Sequence, residues 1–81
     1  MFRKLVKTGE IVIENQAYAL RYFEHKTARG GRRYSCEVLF GEADRIIVDD
    51  DSMMSLESKV QCVAPATVYS RLLASRPSVA A

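Results

Sequence analysis

Two cysteines, a single histidine, three consecutive aspartates and a knot of basic residues are the side chains of this 81-residue chain that could do more than pack. Cys36 and His25 come first, because an imidazole beside a thiol can draw it to its nucleophilic thiolate. Whether they meet depends on the loop around Gly30-Gly31. A two-residue loop would set His25 directly across from Cys36. An odd-numbered loop pairs even positions with even ones, bringing Tyr22 opposite Phe40, Glu24 opposite Val38, Phe23 opposite Leu39 and His25 opposite Glu37. The odd loop is favoured, since it alone gathers Tyr18, Leu20, Tyr22, Tyr34, Cys36, Val38 and Phe40 on one apolar face. Cys36 is then a core thiol, and His25 a surface partner of Glu37.

Asp49-Asp50-Asp51 offers carboxylates, but it lacks the DxDxDG spacing and the bidentate Glu of a calcium loop, and on a strand end its side chains alternate between faces. Helix capping accounts for it, and no metal site is expected. Cys62 lies roughly 130° around a helical wheel from the apolar stripe Met53, Leu56, Val60 and Val63, so it should face outward, with Lys59 one turn back as the nearest cation. Lys26, Arg29, Arg32 and Arg33, with Tyr34 beside them, sit at a hairpin tip. Arginine forks and a tyrosine ring there could hold a polyanion, and a solvated, charge-protected hairpin has the same composition.

These residues must be positioned by a small frame. The length suffices for one domain with one modest core. Glu10–Glu14 reads as a short strand, with Leu5-Val6-Lys7 pairing back across Thr8-Gly9. Alternation from Ala17 to Lys26 and from Tyr34 to Phe40 predicts a hairpin, and Gly41–Asp44 turns the chain into a fourth strand at Arg45–Val48. The period then changes at Ser52, where a helix should begin. Pro65 should end it near Val63 or kink it, with a further helical segment to about Ala74. The expected fold is α+β: an antiparallel meander of about four strands with a C-terminal helix, kinked or split at Pro65, packed on one face. The domain should span residues 1–74, with 75–81 as a flexible tail.

Composition narrows the function. Two well-separated cysteines outside any CxxC pairing fit free thiols in a reducing compartment, and no apolar run follows the basic N-terminus or approaches spanning length. A cytoplasmic protein with no membrane contact is expected. Residues 1–33 carry eight Lys/Arg against three Glu, and residues 34–81 four against seven acids, a modest basic bias in the first half. One His, no Gly-rich phosphate loop and no acid–base pair argue against a self-contained active site or a cofactor. An enzymatic role would need a site completed at a subunit interface.

The second sheet face is the most informative feature. One helical segment covers one face, yet the other carries Ala19, Phe23, Leu39, Ile47 and Val12. The expected function is therefore a non-enzymatic interaction module, self-associating or binding a protein partner through Phe23, Leu39, Ile47 and Ala19. Binding of nucleic acid or another polyanion through Lys26, Arg29, Arg32 and Arg33 is the alternative.

Overall fold

The computed structural model describes residues 3–75. Four strands, β1 (Arg3–Ile13), β2 (Gln16–Lys26), β3 (Arg32–Leu39) and β4 (Arg45–Asp50), form one open antiparallel sheet in chain order, and a single helix α1 (Met53–Ser75) packs on one face. The α+β meander expected from the sequence is the fold.

Alternation assigns the two faces. Leu20 and Tyr22 of β2, Cys36 and Val38 of β3 and Val48 of β4 point to the helix side, joined by Ile11 and Ile13 of β1. Helix α1 meets them with Leu56, Val60, Ala64 and Val68, spaced by four along one stripe, with Met53 and Val63 packed at its margin. The Met53/Leu56/Val60/Val63 stripe expected from the sequence lies on this side. Ser52 caps the helix: its hydroxyl accepts the Ser55 N–H at 3.2 Å, supplying a partner for one of the free N–H groups of the first turn.

Three local expectations are corrected. First, Thr8-Gly9 is no turn. β1 runs through it, with Thr8 across from Arg21 and Gly9 across from Leu20, and reverses instead at Glu14-Asn15, both with positive φ (52° and 64°). Positive φ at both central residues of a two-residue loop matches the right-handed twist of the strands, which is why this reversal succeeds without a glycine. A register shift at Val6 puts Arg3 and Leu5 on the outer face while Lys7 and Ile11 face the helix.

Second, the central hairpin has the odd parity favoured from the sequence but is centred on Arg29 rather than Gly31. The Gly30 N–H donates to the Thr27 carbonyl and the Thr27 N–H to the Gly31 carbonyl, with Gly30 at φ 83°. This is a turn followed by a left-handed residue, a position where glycine pays no Cβ penalty. Tyr22 therefore opposes Cys36, Phe23 opposes Ser35, Glu24 opposes Tyr34 and His25 opposes Arg33, four residues away from the pairs expected.

Third, α1 continues through Pro65 as one helix to Ser75 rather than splitting. Buried Leu56, Val60 and Ala64 hold it on one side of the proline and Val68 on the other. Packing along the whole stripe outweighs the single backbone hydrogen bond that proline cannot donate. Ser75, the first residue of the expected tail, is the last described residue of α1, and residues 76–81 lie outside the described residues. Among those residues no helix is long and apolar enough to cross a membrane.

Leu56 is fully buried beneath the sheet. Leu56→Ala should cost about 2–5 kcal/mol, and Leu56→Asp, which buries an unpaired charge, should leave no cooperative urea transition in a domain stabilised by only a few kcal/mol. Wild-type melting of the Asp variant would show that α1 does not dock by this stripe.

Candidate functional site

The outer face is the side of the sheet that α1 leaves open, and its centre is a carboxylate. Glu37 lies on β3 between Arg21 of β2 and Ile47 of β4, and only 2% of its surface is exposed although no second layer among the described residues covers it. Its cover consists of arginines. Arg45 approaches Oε2 to 3.1 Å and Arg3 approaches the same oxygen to 3.5 Å, while Arg21 stands 3.9 Å from Oε1, a charge contact rather than a hydrogen bond. Arg3 reaches Glu37 by lying across Phe23, its guanidinium carbon 4.1 Å from the ring centroid. Three cations thus surround one buried anion, and each guanidinium remains about half exposed with donors to spare.

The apolar residues expected on this face are on it, but they do not form one patch. Phe23 is half-buried under Arg3, and Leu39 is paired with Ala19 rather than with Phe23. The register shift separates them: Phe23 and Leu39 occupy different rows with the Arg21/Glu37 row between. Ile47 is 56% exposed on β4, while Leu5 and Val12 are exposed on β1, so the bare aliphatic surface borders a charged centre. Beside Ile47 lies an open hollow of about 300 Å³ reaching Arg3, His25 and Asp49, and beside Arg45 another of about 510 Å³ lined by Arg21, Glu37 and Leu39.

The basic cluster divides. Arg33 turns to the outer face and bonds the Asp49 carboxylate at 3.1 Å, and Arg32 turns to the other side, 3.9 Å from Glu24. Lys26 and Arg29 remain exposed at the tip and join none of the ion pairs found. The aspartate run divides as well. Asp49 takes Arg33, while the Asp50 carboxylate accepts the Asp51 N–H at 2.7 Å, a hydrogen bond that holds it below the usual carboxylate range. Among the described residues no group of three or more His, Cys, Asp or Glu is placed to hold a metal ion.

Cys36 is the core thiol favoured from the sequence, whereas His25 meets neither Cys36 nor Glu37. The β2–β3 register puts Cys36 on the helix side and His25 on the outer face, opposite Arg33 and also paired with Arg3 on β1. Cys36 packs against Tyr22. Burial pushes its thiol up to about 11, and burial together with the neighbouring thiol pushes the Tyr22 hydroxyl up to about 12. A thiol so placed is a packing group rather than a nucleophile. Cys62 is exposed, as expected.

The arginine cage escaped the sequence reading. Arg3, Arg21, Glu37 and Arg45 come from four strands and share no motif; only the correct register, with Glu37 across from Arg21, would have exposed it. In comparison with known proteins the chain matches no family model, no curated protein and no solved structure.

Two measurements check this geometry. A thiol reagent at pH 8 should label Cys62 rapidly and leave Cys36 untouched. Both raised groups favour the neutral form in the fold, so the stability they contribute is full below about pH 9 and is lost as pH rises towards about 12. Cys36 labelling should accelerate in that window, and fast labelling at pH 8 in folded protein would contradict its burial. Separately, Glu37→Gln removes the anion and leaves three guanidiniums in mutual repulsion, costing about 1–3 kcal/mol in urea melts. The cost should shrink when Arg45→Gln is added, and an unchanged cost in that background would mean that the two side chains are not coupled.

Proposed function

We propose that the domain is a non-enzymatic protein-interaction module whose docking surface is the outer face of the sheet, and that its partner presents carboxylates to the cluster around Glu37. The supporting observation is the imbalance there: Arg3, Arg21 and Arg45 share one buried carboxylate, with exposed Ile47 and Leu5 nearby. Arginine and aromatic groups beside aliphatic surface are the composition of protein-binding hot spots. A second copy docked face to face across a two-fold axis would set one such cluster against another, so a different, acidic chain fits this centre better than self-association does.

The polyanion reading has less support. Two of its four cations, Arg32 and Arg33, already have acidic neighbours, and Tyr34, the ring that would stack, is half-buried against the core on the helix side.

Panning a random peptide library against the domain tests the proposal. Bound peptides should be rich in Asp and Glu interspersed with aliphatics, and Ile47→Glu, which sets a competing carboxylate beside the cluster at an exposed position, should weaken them at least about tenfold. Lys26→Ala with Arg29→Ala should leave them bound. Peptides without acidic residues, or acidic peptides lost only in the tip variant, would refute docking at this face.

A further inference from the structure

Helix α1 has a second stripe that no other described residue covers. Opposite Leu56, Val60, Ala64 and Val68 run Cys62, Ala66, Tyr69 and Leu73, all exposed, at spacings of four, three and four. That alternation of three and four keeps a seam in line along a helix, as in paired helices. Tyr69 and Leu73 expose 58% and 61% of their surface.

Charge is what a solvated helix face normally carries, and here it is missing. The helix has three charged side chains, and all three fold back on their own domain: Glu57 to Lys7, Lys59 to the Asp49 carbonyl at 2.9 Å, and Arg71 to Asp44 and over the Phe40 ring. The outward side from Gln61 to Ala74 presents none.

The order of side-chain sizes along the stripe decides what fits it. Its N-terminal half is small, Cys62 and Ala66, and its C-terminal half is large, Tyr69 and Leu73. A second copy of α1 laid antiparallel, with the two-fold axis between Ala66 and Tyr69, puts each Tyr69 over the other copy's Ala66 and each Leu73 over its Cys62. Large meets small at every position, and no like charges are opposed. A shallow groove beside the stripe, lined by Cys62, Val63, Ala66, Thr67 and Ser70 and bounded by Arg71, is open next to Ala66, where the partner ring would lie. A parallel pair would instead stack Tyr69 on Tyr69 and leave a gap between the alanines.

We infer that the chain forms a homodimer through antiparallel pairing of α1 along Cys62, Ala66, Tyr69 and Leu73. This rests on the helix alone and is independent of the sheet-face proposal. With 58% of each Tyr69 exposed, the two rings bring roughly 170–290 Å² of their own surface to the contact, a fraction of the roughly 1,200–2,000 Å² of a stable interface, so the dimer is weak and reversible.

Sedimentation equilibrium of the full chain tests it with two exposed substitutions, Ala66→Glu and Tyr69→Lys, whose helical circular dichroism should match the wild type. Wild type should show a concentration-dependent monomer–dimer equilibrium. Each variant alone should associate at least about tenfold more weakly, because its charges meet an uncharged position. Mixed in equal amounts, the two should recover a heterodimer, in which the new carboxylate faces the new ammonium and the remaining Tyr69 and Ala66 meet as in wild type. A wild type that stays monomeric to near-millimolar concentration overturns the inference, as do variants that keep the wild-type equilibrium or a mixture that does not recover.

Discussion

A single helix cannot cover both faces of a four-stranded sheet, and most of the particular chemistry of this domain follows from that shortage. The helix side is ordinary: Leu20, Tyr22, Cys36, Val38 and Val48 against Leu56, Val60, Ala64 and Val68. Among the described residues the outer side has no second layer, yet its central row is dry enough to bury Glu37. Long arginine side chains supply the cover, since a guanidinium can lie flat on a ring or over a carboxylate while keeping its edge in water. Such a charge would be costly if its partners were removed, and with them in place it acts as the anchor on which Arg3, Arg21 and Arg45 converge.

Register makes that anchor possible. With the hairpin centred on Arg29, Glu37 falls across from Arg21 and next to Ile47. Centred on Gly31, the same sequence would set Glu37 opposite His25 and Arg21 opposite Gly41, past the end of β3, so the cage could not close. The difference traces to backbone chemistry in five residues. Gly30 adopts the left-handed conformation, Gly31 donates to the Thr27 hydroxyl, and Thr27 becomes the last residue before the turn. The two glycines thus follow the apex of the turn instead of forming it.

The sequence was legible where one physical signal dominated. Alternation in 17–26 and 34–40 marked two strands, the Asp-Ser run marked the helix start, and the wheel placed Cys62 outside. It misled where two signals competed. Thr8-Gly9 has turn composition but sits in the middle of an eleven-residue strand, where pairing with Arg21 and Leu20 overrides local preference. Leu5, Ile11 and Ile13 share parity, and nothing in the sequence announces the irregularity at Val6 that sends Leu5 to the opposite face. Pro65 looked like a boundary because its local cost is visible in sequence, whereas the packing that compensates for it is spread over Leu56, Val60, Ala64 and Val68. The cage was least legible of all, being made by residues 3, 21, 37 and 45 through register alone.

Charge also links the two surfaces left exposed. Every charged side chain of α1 is drawn towards the sheet or its loops, by Lys7, by the Asp49 carbonyl and by Asp44. The same contacts that fix the helix to its sheet therefore strip its outer side of charge, while the opposite surface of the domain concentrates arginine around Glu37. On the two proposals above, one surface would take a second copy of α1 and the other an acidic chain, and the two surfaces lie on opposite sides of the fold. Pairing through α1 would leave both sheet faces of the dimer directed outward and unobstructed. Two weak contacts to an acidic chain spanning both faces would then act as one stronger contact, because the second would form at the high local concentration set by the first.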